Sequence, residues 1–217
     1  MKEAYFTPAT IDRAARELLQ DQELEKLCER HPWKLRPERA GLLVLDMQRY
    51  FLEKDSHAYV PSAGAILPRV RELAAAFSSQ GRPVVLTRHL NTEGDAGQMA
   101  RWWGELIKRE NPLSELAPEL NIGGIVIEKS QYDAFHGTEL EGLLRERGVE
   151  QLVICGVMAH LCCETTARSA FVRGFEVFFV VDGTATYNER FHRATLLNLA
   201  HGFAHLVLAE EVLAAFR

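Results

Sequence analysis

The chain has few cysteines, and their positions match neither a metal site nor a disulfide framework. Among 217 residues there are four, Cys28, Cys155, Cys162 and Cys163. They show neither the paired spacing of structural zinc sites nor the pattern of a small secreted scaffold. We therefore expect free thiols and a cytoplasmic location, where thiols stay reduced.

The chain also has no long hydrophobic run and no excess of positive charge. No apolar run approaches the 18 residues that span a bilayer, and the net charge is −5. Charged residues occur within residues 1–7, which is unlike a secretory signal. These features argue against membrane and nucleic-acid partners. With 47% apolar and 25% charged residues, the chain has the composition of a globular domain with a sizeable core.

Short apolar runs alternate with amphipathic helical patterns. The runs cover residues 41–45, 83–87, 124–127, 151–155, 176–181 and 203–208, and helices are predicted over 10–30, 62–79, 139–147, 190–202 and 209–216, with another after residue 161. This order predicts a three-layer α/β/α domain with a mostly parallel, doubly wound sheet of five to six strands. Residues 1–40 form an N-terminal helical extension, predicted to pack outside the domain or on a partner subunit, and residues 41–217 form the domain.

Local signals set several expected boundaries. Thr10 is expected to cap the first helix, and residues 31–37 are expected to form a loop. Gly156 is expected to end the fourth strand, so that Cys162 and Cys163 lie in the first turn of the next helix. The long insertion at residues 92–120, which is rich in aromatic side chains, is typical of a lid or a binding wall.

An acid, a cation and a thiol lie where three of the predicted strands end. Asp46 follows the first strand, Lys129 the third, and Cys162 the fourth. Parallel strands end at one edge of the sheet, where ligands bind. A nucleophilic thiol needs a base and a nearby cation, and a helix N-terminus together with Lys129 would lower its pKa. The alternative is a structural ion pair beneath an inert cysteine.

Three motifs in this order resemble the isochorismatase-like cysteine hydrolases, which include nicotinamidase, N-carbamoylsarcosine amidase and isochorismatase. They are L-L-V-L-D-M-Q at residues 42–48, I-E-K-S-Q-Y-D-A-F-H-G-T-E-L at 127–140, and I-C-G-V-M-A-H-L-C-C-E-T-T-A-R-S-A-F-V-R-G at 154–174. The resemblance extends from about residue 41 to 213.

The resemblance assigns roles to individual positions. It implies that Asp46 is the general base, Lys129 the catalytic lysine and Cys162 the nucleophile, whereas Cys163 is a packing residue. It also implies a cis peptide before Met158, with the N–H groups of Met158 and Cys162 forming an oxyanion hole. Family members often complete the pocket with a neighbouring subunit, so we expect a homo-oligomer.

Two departures from the family pattern bear on the reaction. Nicotinamidases bind a metal through an Asp-x-His pair and a further histidine after the second strand, and residues 87–91 (T-R-H-L-N) do not match. This argues against a metal and against nicotinamide, and we interpret the Asp55-Ser56-His57 spacing as chance. Residues 158–160 (M-A-H) resemble isochorismatases, but those enzymes carry glycine where this chain has Cys162.

The sequence therefore predicts a metal-independent and cofactor-independent hydrolase of a small amide or carbamoyl C–N bond, acting through a thioester. The expected substrate walls are Gln48, Phe51, His89, Trp103 and His160, although His160 also fits a core position. One alternative is a vinyl-ether hydrolase of an isochorismate-like acid with Asp46 as proton donor. Another is a catalytically silent binding or scaffold protein. A dithiol redox site at Cys162 and Cys163 is disfavoured, because adjacent cysteines form a strained ring.

Overall fold

A six-stranded parallel sheet forms the centre of the molecule. The computed structural model describes residues 1–30 and 33–217. The strands are β1 (Ala40–Leu45), β2 (Val84–His89), β3 (Ile125–Lys129), β4 (Gln151–Val157), β5 (Glu176–Ala185) and β6 (His205–Val207). They are arranged in the order β3-β2-β1-β4-β5-β6, and every pairing is parallel. The predicted α/β architecture is confirmed. His31 and Pro32, part of the predicted loop at 31–37, lie outside the described residues.

Helices cover both faces of this sheet. They are α1 (Ile11–Leu19), α2 (Gln22–Glu29), α3 (Arg49–Leu52), α4 (Ala63–Ser79), α5 (Met99–Trp103), α6 (Leu140–Glu146), α7 (Glu164–Val172), α8 (Glu189–Gly202) and α9 (Ala209–Ala214). Helices α1, α4 and α9 pack against β5, and α7 and α8 pack together with α2. Every residue of β1 and β4 is buried, as expected for strands covered on both faces. No helix in the described part of the chain is long and apolar enough to cross a membrane.

The N-terminal segment departs from the expected single helix. It forms α1 and α2, because Asp21 accepts hydrogen bonds from the backbone N–H groups of Glu23 (2.9 Å) and Leu24 (3.3 Å) and so starts a new helix. The Thr10 side chain does not cap α1. It bonds instead with Thr7. The buried residues of α1 lie in the main core, so the segment packs on this domain.

The turn after β4 also differs from the expectation. Gly156 does not end the strand, which continues to Val157. Its φ is +114°, and a Cβ there would lie 2.1 Å from the Leu45 carbonyl oxygen, so only glycine lets β4 approach β1 this closely. Cys162 lies in a turn of π-helix, Ala159–Cys163, rather than in the first turn of α7. The peptide between Val157 and Met158 is cis.

Candidate active site

The sheet reverses its winding between β1 and β4, and the three predicted catalytic side chains meet at the carboxyl end of the strands there. From β1 the chain proceeds outward to β2 and β3, and from β4 it proceeds the other way to β5 and β6. Asp46 directly follows β1, Cys162 follows β4, and Lys129 is the last residue of β3. Ligands of open α/β sheets bind at this kind of switch point.

Asp46 is fixed in one orientation by Thr87 on the neighbouring strand. Its φ is +50°, the left-handed region that aspartate tolerates better than most residues. The Thr87 hydroxyl donates to Asp46 Oδ1 at 2.6 Å and accepts from the Asp46 N–H at 3.1 Å. Asp46 is fully buried, so its carboxylate contacts a partner within the protein instead of water.

That partner is Lys129, whose ammonium group lies at the centre of the cluster. Lys129 Nζ is 2.7 Å from Asp46 Oδ2, and neither side chain is exposed to solvent. The same nitrogen is 3.5 Å from Cys162 Sγ, 3.2 Å from His89 Nδ1 and 2.9 Å from the Gln131 carbonyl oxygen. The carboxylate, imidazole and thiol ligand atoms lie within 4.8 Å of one another. Acid, cation and thiol therefore form one contact group.

The pKa directions show which members carry charge. For Asp46, burial acts to raise the pKa, but the Lys129 charge, His89 and the hydrogen bonds from Cys162 and Lys129 together outweigh it, and the pKa lies below its usual value. For Lys129, burial acts to lower the pKa, and Asp46 together with Cys162 raises it above its usual value. The resting site thus holds a buried carboxylate–ammonium pair.

The pKa of the thiol contradicts the sequence-based expectation. Burial, and then the Asp46 charge, raise the pKa of Cys162 above its usual value, and the opposing effect of Lys129 does not compensate. The expectation of a lowered pKa took account of the helix terminus and the lysine. It left out the desolvation of the Cys162 side chain, since this residue is only 5% exposed. The thiol is therefore protonated at rest and needs a base.

His89 is a further contact of the lysine, through its Nδ1 atom. Its Nε2 is 2.9 Å from Asn91 Oδ1. An amide oxygen only accepts, so Nε2 carries the proton and Nδ1 accepts from Lys129. Burial and the lysine charge lower the pKa of His89 to about 4, so the ring is neutral near pH 7. The Asn91 amide in turn donates to the Ser130 carbonyl oxygen at 2.8 Å.

A narrow cavity of about 60 Å³ leads to the thiol. Cys162 and Met158 are among the residues that line it, together with several aromatic side chains. Its other lining residues are Tyr50, Phe51, His57, Ala58, His89, Asn91, Met99, Trp103, Glu105, Ile107, Tyr132, Leu161 and Tyr187. The Trp103 Nε1 donates to the Tyr132 hydroxyl at 2.6 Å, which joins the insertion to the loop after β3.

The structure places three of the five predicted wall residues, Phe51, His89 and Trp103, at this cavity and two elsewhere. Gln48 is fully buried; its amide nitrogen donates to the carbonyl oxygens of His89 (3.0 Å) and Ser114 (2.7 Å), and its oxygen accepts from the His89 N–H. His160 lies outside the lining, stacked on Phe191. Neither side chain therefore lines this cavity, because the sequence placed these residues near the sheet edge without giving their direction.

Several other residues that line the cavity were not predicted from the sequence. The insertion at 92–120, predicted to be a lid or a wall, contributes Met99, Glu105 and Ile107 besides Trp103. His57, whose spacing from Asp55 was interpreted as chance, also lines the cavity. The proximity of Tyr50 to the first motif was the one available signal for its place here.

The donor set does not fit the metal that the nicotinamidase resemblance raises. Asp46, His89 and Cys162 carry atoms that metals bind. Lys129 Nζ, however, lies 2.7–3.5 Å from atoms of all three. The ammonium group therefore already supplies a positive charge to these atoms, and it would repel a second cation bound by them. The cation of this cluster is the lysine.

Comparisons with known proteins show the family of this chain. The isochorismatase domain model matches residues 40–211. "Nicotinamidase 3" of Arabidopsis thaliana is 41% identical over 175 residues, which cover 77% of this chain and 84% of that protein. A cysteine hydrolase from Pseudomonas syringae pv. phaseolicola superposes with a TM-score of 0.81 at 26% identity, covering 85% of this chain and 95% of the other. The pyrazinamidase of Pyrococcus horikoshii in complex with zinc gives 0.70 at 28% identity, covering 78% and 99%. The chain therefore belongs to the isochorismatase family and is a hydrolase.

Proposed function

We propose that this protein hydrolyses the C–N bond of a small amide or carbamoyl compound through a thioester on Cys162, without a metal. One observation carries the proposal: a thiol that lines a cavity contacts the same ammonium group that is paired with a buried carboxylate. The amidase names of two relatives, a nicotinamidase and a pyrazinamidase, support amide chemistry.

In the first half of the reaction, Asp46 takes the proton of the Cys162 thiol as the sulfur attacks the amide carbonyl carbon. Lys129 is close enough to stabilise the thiolate as it forms. The carbonyl π electrons move to oxygen, and the N–H groups of Met158 and Cys162 would hold the oxyanion, at about 3 kcal/mol for each donor in comparable sites. Asp46 then gives its proton to the nitrogen as the C–N bond breaks, which releases the amine.

In the second half, water attacks the thioester carbon. Asp46 accepts a proton from this water, and the C–S bond breaks as the carboxylic acid forms. The sulfur leaves as a thiolate beside Lys129 and regains its proton from Asp46. The net reaction consumes one water and returns every side chain to its starting state.

The cavity indicates the size of the substrate. The cavity of about 60 Å³ is small beside the roughly 300–1,000 Å³ of sites for drug-sized ligands. This size favours a small amide or carbamoyl compound as the substrate.

The test compares variants of Cys162 on a panel of small amides. We expect Cys162→Ala to lower kcat/KM by several orders of magnitude, because it removes the atom that forms the new bond. Cys162→Ser should be nearly as poor, since a carboxylate is a weak base for a hydroxyl. Cys155→Ala, which changes a buried thiol outside the cavity, is the matched control. A Cys162→Ala enzyme within about tenfold of wild type, ~1.4 kcal/mol, would contradict a covalent mechanism and favour proton-only chemistry of the vinyl-ether type.

A further inference from the structure

A carboxylate that the reaction scheme does not use lies in the cavity wall. Glu105, in the insertion at 92–120, lines the same cavity as Cys162. The Tyr50 hydroxyl donates to Glu105 Oε1 at 2.5 Å, and His57 Nδ1 lies 3.8 Å from Oε2. Tyr50 is nearly fully buried, so this hydrogen bond holds the carboxylate at the wall.

The other charges around the cavity determine how strongly Glu105 acts on a bound substrate. Lys129 is not among the lining residues, and its ammonium group is paired with Asp46. Among the described residues, those that line the cavity include neither lysine nor arginine, and the other titratable groups there include His57 and His89. Outside the wall, Lys2 donates to the His57 carbonyl oxygen at 2.7 Å and lies 4.6 Å from the centre of the Tyr187 ring. Within the wall as described, the carboxylate is thus the fixed charge that a substrate meets.

We propose that Glu105 determines substrate charge, so that the site selects neutral or cationic amides and rejects amides that carry a carboxylate. This inference rests on the proposed function, because it concerns compounds that reach Cys162. A substrate ammonium or N–H group finds an acceptor in Glu105, and a substrate carboxylate meets like charge at this side chain, which is 47% exposed to solvent. An isochorismate-like acid is disfavoured by the same charge.

The test uses alkylation of Cys162 by three small reagents of different charge at pH 8. Iodoacetamide is neutral, iodoacetate is an anion and 2-bromoethylammonium is a cation. In each case the sulfur displaces halide, an S–C bond replaces the carbon–halogen bond, and the thiol proton is lost to solvent. Rates at Cys162 are measured by peptide mass mapping and divided by the rate of the same reagent with a free thiol.

The Glu105→Gln variant is expected to change the alkylation rates of the two charged reagents in opposite directions. Relative to iodoacetamide, iodoacetate should become at least threefold faster and 2-bromoethylammonium at least threefold slower. Glutamine keeps an oxygen that accepts from the Tyr50 hydroxyl, so the wall is preserved. Glu105→Asp retains the charge and should keep the wild-type order, and so should Glu110→Gln, an exposed residue outside this cavity.

The outcomes separate this inference from the proposed function. If Cys162 is labelled and Glu105→Gln leaves the ratios unchanged, or shifts both charged reagents in one direction, Glu105 does not select charge and the covalent proposal stands. If none of the reagents labels Cys162 in the wild type, both proposals fail.

Discussion

Breaking the buried pair of Asp46 and Lys129 should destabilise the fold, with a pH dependence that differs in sign between the two partners. Neither side chain has any solvent exposure, and the charged atoms are 2.7 Å apart. Removing one partner of such a pair typically costs about 3–5 kcal/mol, because the other charge stays buried without compensation. That is a large part of the 5–15 kcal/mol that stabilises a typical domain, as a rough scale.

In each single variant the remaining buried group can become neutral, and this limits the loss in the free energy of unfolding. In Asp46→Asn, Lys129 can lose its proton; at pH 7 this costs at most about 5 kcal/mol, from about 1.4 kcal/mol per unit below its ordinary pKa of 10.5. In Lys129→Met, Asp46 can take up a proton, at a cost of at most about 4 kcal/mol from its ordinary value of 3.8.

These limits give the signs of the pH dependence. In Asp46→Asn the unfolded chain binds more protons than the fold, because the pKa of the uncompensated Lys129 is lowered, so the free energy of unfolding rises from pH 7 to 9. In Lys129→Met the fold binds more protons than the unfolded chain, so the free energy of unfolding rises from pH 7 to 5. The double variant has neither charge and should lie within about 2 kcal/mol of wild type with little added slope.

Urea unfolding followed by tryptophan fluorescence measures all four proteins, and amide hydrolysis is assayed in parallel. We expect stability, but not activity, to return in the double variant, since the base and the cation are both absent. Single variants that each cost less than about 1 kcal/mol, or that share one pH slope, would refute the buried-pair argument. Activity in the double variant would refute the roles proposed for this pair.

Three further predictions address pH, metal and assembly. Burial lowers the pKa of His192 to about 3, so below pH 6.5 the unfolded chain binds a proton that the folded chain does not, and stability falls on acidification. Between pH 7 and 5 this lowers the free energy of unfolding by about 2 kcal/mol. An unchanged acid slope in His192→Gln would contradict this prediction. Amide hydrolysis should survive chelation, because Lys129 takes the place of a metal in the cluster; stoichiometric zinc whose removal abolishes activity would overturn this. Light scattering at micromolar concentration should show a dimer or larger oligomer, and a monomer would disprove the expected assembly.

The fold class followed from features that the sequence shows directly. Apolar runs of four to six residues alternating with amphipathic helices leave few arrangements other than a parallel sheet covered on both faces, because each element must bury its apolar side. The carboxyl ends of parallel strands share one edge, so Asp46, Lys129 and Cys162 were predicted to meet before any distance was known. The sequence pattern did not reveal the break between α1 and α2. Asp21 starts a second helix inside a stretch whose apolar residues recur at helical spacing throughout.

Only the tertiary structure decided the direction and the desolvation of side chains at that edge. Gln48 is the last residue of the first motif, but its amide is bound by the end of β2 and by Ser114, both distant in sequence, and Glu105 reaches the cavity from an insertion with no motif. The pKa of Cys162 was predicted with the wrong sign because the lysine is visible in the sequence and the burial is not. Charge and hydrogen-bonding capacity belong to residue types, whereas the loss of water around a group depends on the atoms that distant segments bring against it.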